Sequence, residues 1–248
     1  NELKGVSPLL ELPLDKNTIA EDSFRGATEI LGLDDDLYTR IHSYSAERGV
    51  TVANFLLAIY FYFLFLITKT EDICLSIASA NRFHPDLENI IGFFINLLPI
   101  RIRIDDEMDF PVILDQVVSK SREALEHQIY PFDLLIRKVN PERWSTNHPL
   151  TNVGFEYQQF HDMRVNIPEE PDVARVFETL LVKEPRIDYL DSLNETTKGD
   201  MTLFVIHKDR TIDLQFEYDT SKFHRETIRE YLEYIRKITE MAMANPHD

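Results

Sequence analysis

The chain has 248 residues, enough for one large domain or two small ones with a sizeable core. Asp and Glu number 43 against 26 Lys and Arg, a formal net charge of −17, which argues against nucleic acid and against an anionic membrane surface as partners. Hydrophobic residues at 44% argue against disorder, and seven glycines exclude a collagen-like or low-complexity chain.

A single cysteine, Cys74, excludes a disulfide framework and a thiolate zinc site and suits a reducing cytoplasm. Residues 1–16 lack a basic stretch followed by an apolar one, so no signal peptide is read there. The first residue is Asn rather than Met, as expected of a processed or excised piece of something longer.

Taken in chain order, residues 1–22 read as an extended lead-in with Pro8 and Pro13, and 23–31 as a strand. Asp34 to Asp36 can cap a helix to about 47, with Leu37, Tyr38, Ile41 and Ala46 at helical spacing and Gly49 as its stop. Thr51 starts a second helix to about 69. Its apolar run, 55–67, is too short to span a bilayer, which needs about 20 residues, and reads as a buried core helix.

Residues 72–80 suit a strand in a sheet covered on both faces, and 81–92 a loop with one helical turn. Residues 98–104 alternate Ile100, Ile102 and Ile104 against Arg101 and Arg103. Asp109 caps a helix over 110–128 with an apolar stripe of Phe110, Ile113, Leu114, Val117, Val118 and Leu125. A short amphipathic helix follows Pro131 over 132–139, then a strand over 152–158. The acidic stretch 161–200 is a long connection with a short strand near 176–182. A hairpin pairs 201–207 with 211–218 across Lys208, Asp209 and Arg210, and a last helix runs over 223–244. The class is α/β, a mixed β-sheet covered by helices.

No GxSxG, GxxxxGK[ST] or GxGxxG motif occurs, and the eight histidines show no HExxH spacing, so neither a phosphate cradle nor a metal site is expected. Cys74, mid-strand in apolar surroundings, reads as a buried structural thiol. His127 reads as a helix-terminal histidine meeting unpaired carbonyls rather than a catalytic one. Arg101 reads as ion-paired, with Asp105, Asp106 and Glu107 at hand, rather than as an anion site. Asp200 fits a turn or cap. Asn96, among apolar residues, must be hydrogen-bonded and should pin a loop. Trp144 fits either an exposed contact residue or a core plug.

Three segments carry a resemblance. IGFFINLLPIR over 91–101, which holds Phe93, Phe94, Asn96 and Arg101, resembles the IGFFVNxLPLR motif of nonribosomal peptide synthetase condensation domains. HQIYPFD over 127–133, with His127 and Asp133, resembles their HQDxPFE motif. NPER over 140–143, with Arg143, followed by HPL over 148–150, resembles NPxRDxSRxPL. Weaker matches to LPTDRPR at 12–16, SFRGA at 23–27, GQEDIxxG at 70–73 and LEYNTDLF at 216–223, which includes Tyr218, extend the likeness over roughly 8–242.

The departures matter as much. The family's HHxxxDG motif is absent, since the chain contains no His-His pair. Trp144, Asn147 and Ile129 stand where the family often has Asp, Arg and Asp. Asn81 replaces a common Gly, tolerable at positive φ. The 91–96 segment differs from the pattern of epimerization domains.

The resemblance implies a chloramphenicol-acetyltransferase-like lobe, the C-terminal half of a two-lobed condensation domain. Residues 1–22 would then lead in from an N-terminal lobe and 23–248 would form the C-terminal lobe. It implies peptide-bond formation between thioesters carried on the phosphopantetheine of peptidyl carrier proteins, with adjacent synthetase modules as further partners and no cofactor bound by the lobe itself. It places Asn96, Arg101, His127, Asp133, Arg143 and Tyr218 among tunnel or structural motif residues. A floor loop is expected near 81–96, with Asn81, Arg82, Phe93 and Phe94, and a latch around 198–218. With HHxxxDG missing, the chain alone should be silent. The alternatives are a non-catalytic lobe that binds carrier proteins or modules, and a lobe of a CoA-dependent acyltransferase. An isolated lobe should expose apolar surface and self-associate.

Overall fold

The computed structural model describes residues 2–6, 9–16, 25–87, 90–139, 150–160 and 196–244. The expectations for Trp144, Arg143 and the 176–182 strand lie outside the described residues.

Each element begins where its end residues can satisfy the backbone. Strand β1 (Gly26–Leu33) leads to helix α1 (Asp35–Arg48), where the Asp34 carboxylate accepts from the Leu37 amide at 2.8 Å. Gly49 ends that helix at φ 67°, a left-handed conformation that costs glycine nothing. Helix α2 (Val52–Thr68) is capped by Thr51 Oγ1, which accepts from Asn54 N at 3.1 Å. Strands β2 (Asp72–Ser79) and β3 (Asn96–Arg103) follow, with a single 3₁₀ turn, Pro85–Leu87, between them. Helices α3 (Phe110–Glu126) and α4 (Phe132–Val139), strands β4 (Val153–Phe160), β5 (Met201–Lys208) and β6 (Thr211–Asp219), and helix α5 (Arg225–Ala244) complete the order.

The strands form one six-stranded sheet in the order β1-β6-β5-β4-β2-β3. β4 runs parallel to β2 and β5, and the other pairs are antiparallel, so the sheet is mixed. Alternate strand residues, among them Leu75, Ile100, Phe155, Leu203 and Phe216, join Phe55, Phe63, Val117 and Ile228 of the helices in one core. Helix α2 lies at its centre, with Phe55, Tyr60, Phe61 and Phe63 fully buried. Each of the three phenylalanines contributes on the order of 1.5–3 kcal/mol by leaving water.

The described helices therefore meet the sheet through one face, and the expectation of cover on both faces of β2 does not hold for them. On the second face of β2 Cys74 is nonetheless buried, and Ser76 and Ala78 are half-buried. That second face carries a register row of Pro99, Ser76, Gly154, Thr202, Glu217 and Thr28. Pro99 fits its place on the edge strand β3, where a missing N–H costs no ladder bond.

Three further expectations change. Leu125 and Ala46 are exposed, and Ser121, Tyr44 and Ser45 are buried on those helices instead. Asp109 stands at the N-cap of α3 without a side-chain bond. The hairpin turn is tighter than expected, since Lys208 pairs with Thr211 and leaves two turn residues, Asp209 and Arg210.

The lead-in packs into the same core as the sheet and helices. Leu10 and Leu12 belong to the buried core. Asn152 holds Leu10 by both backbone groups, Oδ1 accepting from its amide at 2.8 Å and Nδ2 donating to its carbonyl at 2.9 Å. The same Nδ2 donates to Asp200 Oδ2 at 2.8 Å, and the other Asp200 oxygen is bonded by Lys222 Nζ. Asp200 so acts as a turn anchor. Among the described residues no single helix is long and apolar enough to cross a membrane.

Candidate functional site

Strands β2 and β3 open into a loop at the pair Ser79↔Asn96. Both side chains at this mouth reach the corner between α3 and α4. Ser79 Oγ donates to Gln128 Oε1 at 2.6 Å and accepts from the Asn81 amide at 3.1 Å. Asn96 Nδ2 donates to the carbonyls of Gln128 and Tyr130 at 2.8 and 2.9 Å, and its Oδ1 accepts from Phe132 N at 3.1 Å. One amide thus closes the C-terminal end of α3 and caps the N-terminal end of α4. Asn96 pins a loop, as its apolar neighbours in the sequence required. Asn81 adopts φ 52°, the left-handed conformation anticipated for a glycine replacement.

Beyond the mouth, Arg82 braces the loop from within. Its guanidinium lies 4.5 Å from the centre of the Phe94 ring and donates to the carbonyls of Leu87 and, at 2.9 Å, Ile90. The apolar side chains here point outward: Ile91 is fully exposed, Phe93 is 88% exposed, and Phe83 and Ile95 are exposed as well. An exposed apolar loop held by a polar mouth marks a contact surface.

On the other side of the same corner, an open cleft of about 830 Å³ runs along the outer edge of β3. Arg101, His127, Tyr130, Leu135 and Lys138 are among its lining residues. Arg101 is paired, but with Asp72 rather than with 105–107: Nε to Oδ1 is 2.7 Å and Nη2 to Oδ2 is 2.5 Å. Its Nη1 also donates to the carbonyls of Glu2 and Lys4 at 2.8 and 3.1 Å. The hydrogen bond from the Arg101 guanidinium holds the Asp72 carboxyl below the usual carboxylate range. His127 terminates α3 through its backbone N–H, which donates toward the Ala124 and Leu125 carbonyls, and its ring is exposed. Asp133 is exposed in the first turn of α4.

The structure therefore gathers Asn81, Arg82, Phe93, Phe94 and Asn96 at one loop, and Arg101 and His127 at the neighbouring cleft. Tyr218 stands apart, 2% exposed on the helix-covered face, where burial pushes its phenol up. It is a core residue. Residues 201–219, on which most of the expected latch falls, form β5 and β6, inner strands paired on both sides. Sequence reasoning missed Ser79, Gln128 and Asn152. Gln128 lay inside a quoted motif, so a half-buried polar side chain at this corner was within reach. Ser79 and Asn152 gave no such signal.

Two other groups bear on the chemistry. Glu217 and Glu156, half-buried on the second face, are both pushed above the usual carboxylate range, chiefly by desolvation. Cys74 is buried and its thiol is pushed up to about 12, chiefly by desolvation, which leaves it a structural residue. Among the described residues no three His, Cys, Asp or Glu side chains converge as a metal-binding group.

A family model described as Condensation domain matches residues 1–248. Surfactin synthase subunit 2 of Bacillus subtilis (strain 168) is 32% identical over 244 residues, 98% of this chain and 6% of that protein. Chondramide synthase cmdD of Chondromyces crocatus is 30% identical over 245 residues, 99% of this chain and 6% of that protein. The chain thus spans a small fraction of the curated relatives it matches.

Among solved structures, holo-AB3403, a four-domain nonribosomal peptide synthetase bound to AMP and glycine, superposes with a TM-score of 0.83 at 18% identity, over 100% of this chain and 19% of that one. The condensation domain of the Monacolin K polyketide synthase MokA gives 0.74 at 23% identity, over 97% of this chain and 54% of that one. The X-domain from teicoplanin biosynthesis, in its complex with OxyB, gives 0.79 at 19% identity, over 99% of this chain and 51% of that one. The fold is shared with all three. With the family model matched from the first residue to the last, the chain belongs to the Condensation domain family.

Proposed function

We propose that this chain is the C-terminal lobe of a condensation domain that joins carrier-protein-tethered aminoacyl or peptidyl thioesters in nonribosomal peptide synthesis. The observation that carries the reading is one of extent. The chain covers 54% of the MokA condensation domain with nearly all of its own length aligned, and it lacks any His-His pair. Half a domain without the family's histidine motif is what a C-terminal lobe would be.

In the joined domain, the acceptor amine attacks the donor thioester carbonyl. The C–N bond forms, the C–S bond breaks, and the amine proton passes by way of base to the departing phosphopantetheine thiol. Tethering both reactants supplies much of the rate through orientation. This lobe contributes a wall and the 81–95 loop as floor, not the base. Its partners are an N-terminal lobe, the peptidyl carrier proteins and adjacent modules. Alone it forms no peptide bond, because general base catalysis requires the base within hydrogen-bond reach.

A second reading, a lobe that docks partner proteins without catalysis, is favoured by one observation. The fold likeness extends to an X-domain whose solved structure is a complex with another protein, OxyB.

The test joins this chain to an N-terminal lobe carrying HHxxxDG and supplies donor- and acceptor-loaded carrier proteins. Mass spectrometry should find the amide product with the joined protein and none with the chain alone. Product from the chain alone overturns the division of labour. No product from the joined protein, with carrier binding intact, favours the docking reading.

A further inference from the structure

We infer that Gln128, Ser79 and Asn96 form a buckle that positions the 81–95 loop, with Gln128 as its positioning residue. The loop leaves the sheet at Ser79 and returns at Asn96, which are partners in the β2–β3 register. A hairpin that ends there would leave the loop tethered by two strand ends only. Instead both residues reach across to one corner, 127–132. Ser79 gives its hydroxyl proton to Gln128 Oε1, and Asn96 grips the Gln128 and Tyr130 carbonyls and the Phe132 amide.

The two ends of the loop are therefore referenced to the same residue, Gln128, by its side chain on one side and its backbone on the other. Ser79 passes the constraint onward, because its oxygen also accepts from Asn81 N, at the residue that turns the chain through positive φ. Arg82 follows at once, stacked on Phe94 and bonded to Leu87 and Ile90. The order of the loop is built outward from the buckle, not from apolar burial, since Phe93 and Ile91 are exposed.

The functional weight of the buckle rests on the reading of this loop as the tunnel floor, but its existence does not, and the test separates the two. Arg82 is the only Lys or Arg between residues 80 and 95, so trypsin reports on the loop at a single bond, Arg82–Phe83. Gln128→Leu keeps the bulk and removes the acceptor, whereas Gln128→Glu keeps an acceptor oxygen.

In the 248-residue chain, Q128L should be cut after Arg82 about tenfold faster than the unaltered protein, the size expected for one lost hydrogen bond of a shielded group. Q128E should stay within about threefold of the unaltered rate, while amide exchange in β5 is unchanged in both. S79A, which removes the donor from the other side, should reproduce Q128L and serves if that variant does not fold. Equal cutting of Q128L and the unaltered chain, an equal rise in Q128E, or faster exchange in β5 in step with cutting overturns the buckle. In the joined two-lobed protein Q128L should lower kcat with the carrier-protein KM unchanged, and Q128E should restore it. A joined protein that is inactive without any substitution, yet shows the same cutting pattern, fails the functional reading and leaves the buckle standing.

Discussion

Arg101 and Asp72 meet fork to fork on the edge of the sheet, at 2.7 and 2.5 Å, although the register sets Arg101 opposite Cys74 and Asp72 opposite Arg103. The pair is diagonal, and the same guanidinium also holds the backbone at Glu2 and Lys4. Lysine cannot make this fork, so R101K should lower stability by about 1–2 kcal/mol, read from urea unfolding. The Asp72 carboxyl titrates below its ordinary range when folded. Its stabilisation is therefore complete above that range and is lost as pH falls through the lowered pKa. R101K should shrink that acid limb, and Arg103, 3.5 Å from Asp72 Oδ2, keeps the remainder. An unchanged urea midpoint would show the pair to be ornamental.

Glu217 carries the opposite sign. Burial raises its folded pKa above the unfolded one, so the ionised side chain costs stability at neutral pH and the cost fades as pH falls through the raised value. E217Q, which keeps an acceptor oxygen, should raise Tm at pH 7.5 and have little effect at pH 4. A lower Tm at pH 7.5 would mean that the bonds from Thr197 and Lys198 outweigh desolvation.

Asn152 is 4% exposed and spends its amide on Leu10 and Asp200. N152A strands both backbone groups of Leu10 and should cost about 2–4 kcal/mol. Protease cutting within 9–16 should rise ahead of cutting elsewhere. Cutting that rises everywhere at once would place the lead-in within the global unfolding unit instead.

The outward Ile91 and Phe93 give the isolated chain a sticky loop. Sedimentation should show larger species as concentration rises, and the double substitution I91S and F93S should abolish most of that shift. Self-association that persists in the double variant would assign it to another surface.

Much of this was legible in the residues. The Thr51 cap, the Gly49 stop and the alternation of Ile100, Ile102 and Ile104 are local, and local signals survive the absence of a fold. Asn96 was legible too, because an amide among apolar residues has to find partners. Arg101 was half legible. Its pairing was expected, but the near carboxylates at 105–107 drew attention away from Asp72, which only strand register brings close. Tyr218 was legible as a motif residue but not as a core one, because a motif match says that a segment matters, not which face it turns to. The bond from Leu10 to Asn152 spans 142 residues, and nothing local announces it.

The stitching of Leu10 and Leu12 into the core has a consequence for descent by recombination. Exchange between related members of this family would keep hydrophobic cores matched only if the crossover fell ahead of Leu10. A breakpoint inside 17–22, between the LPTDRPR and SFRGA matches, would hand each daughter protein two leucines chosen for another lineage's interior.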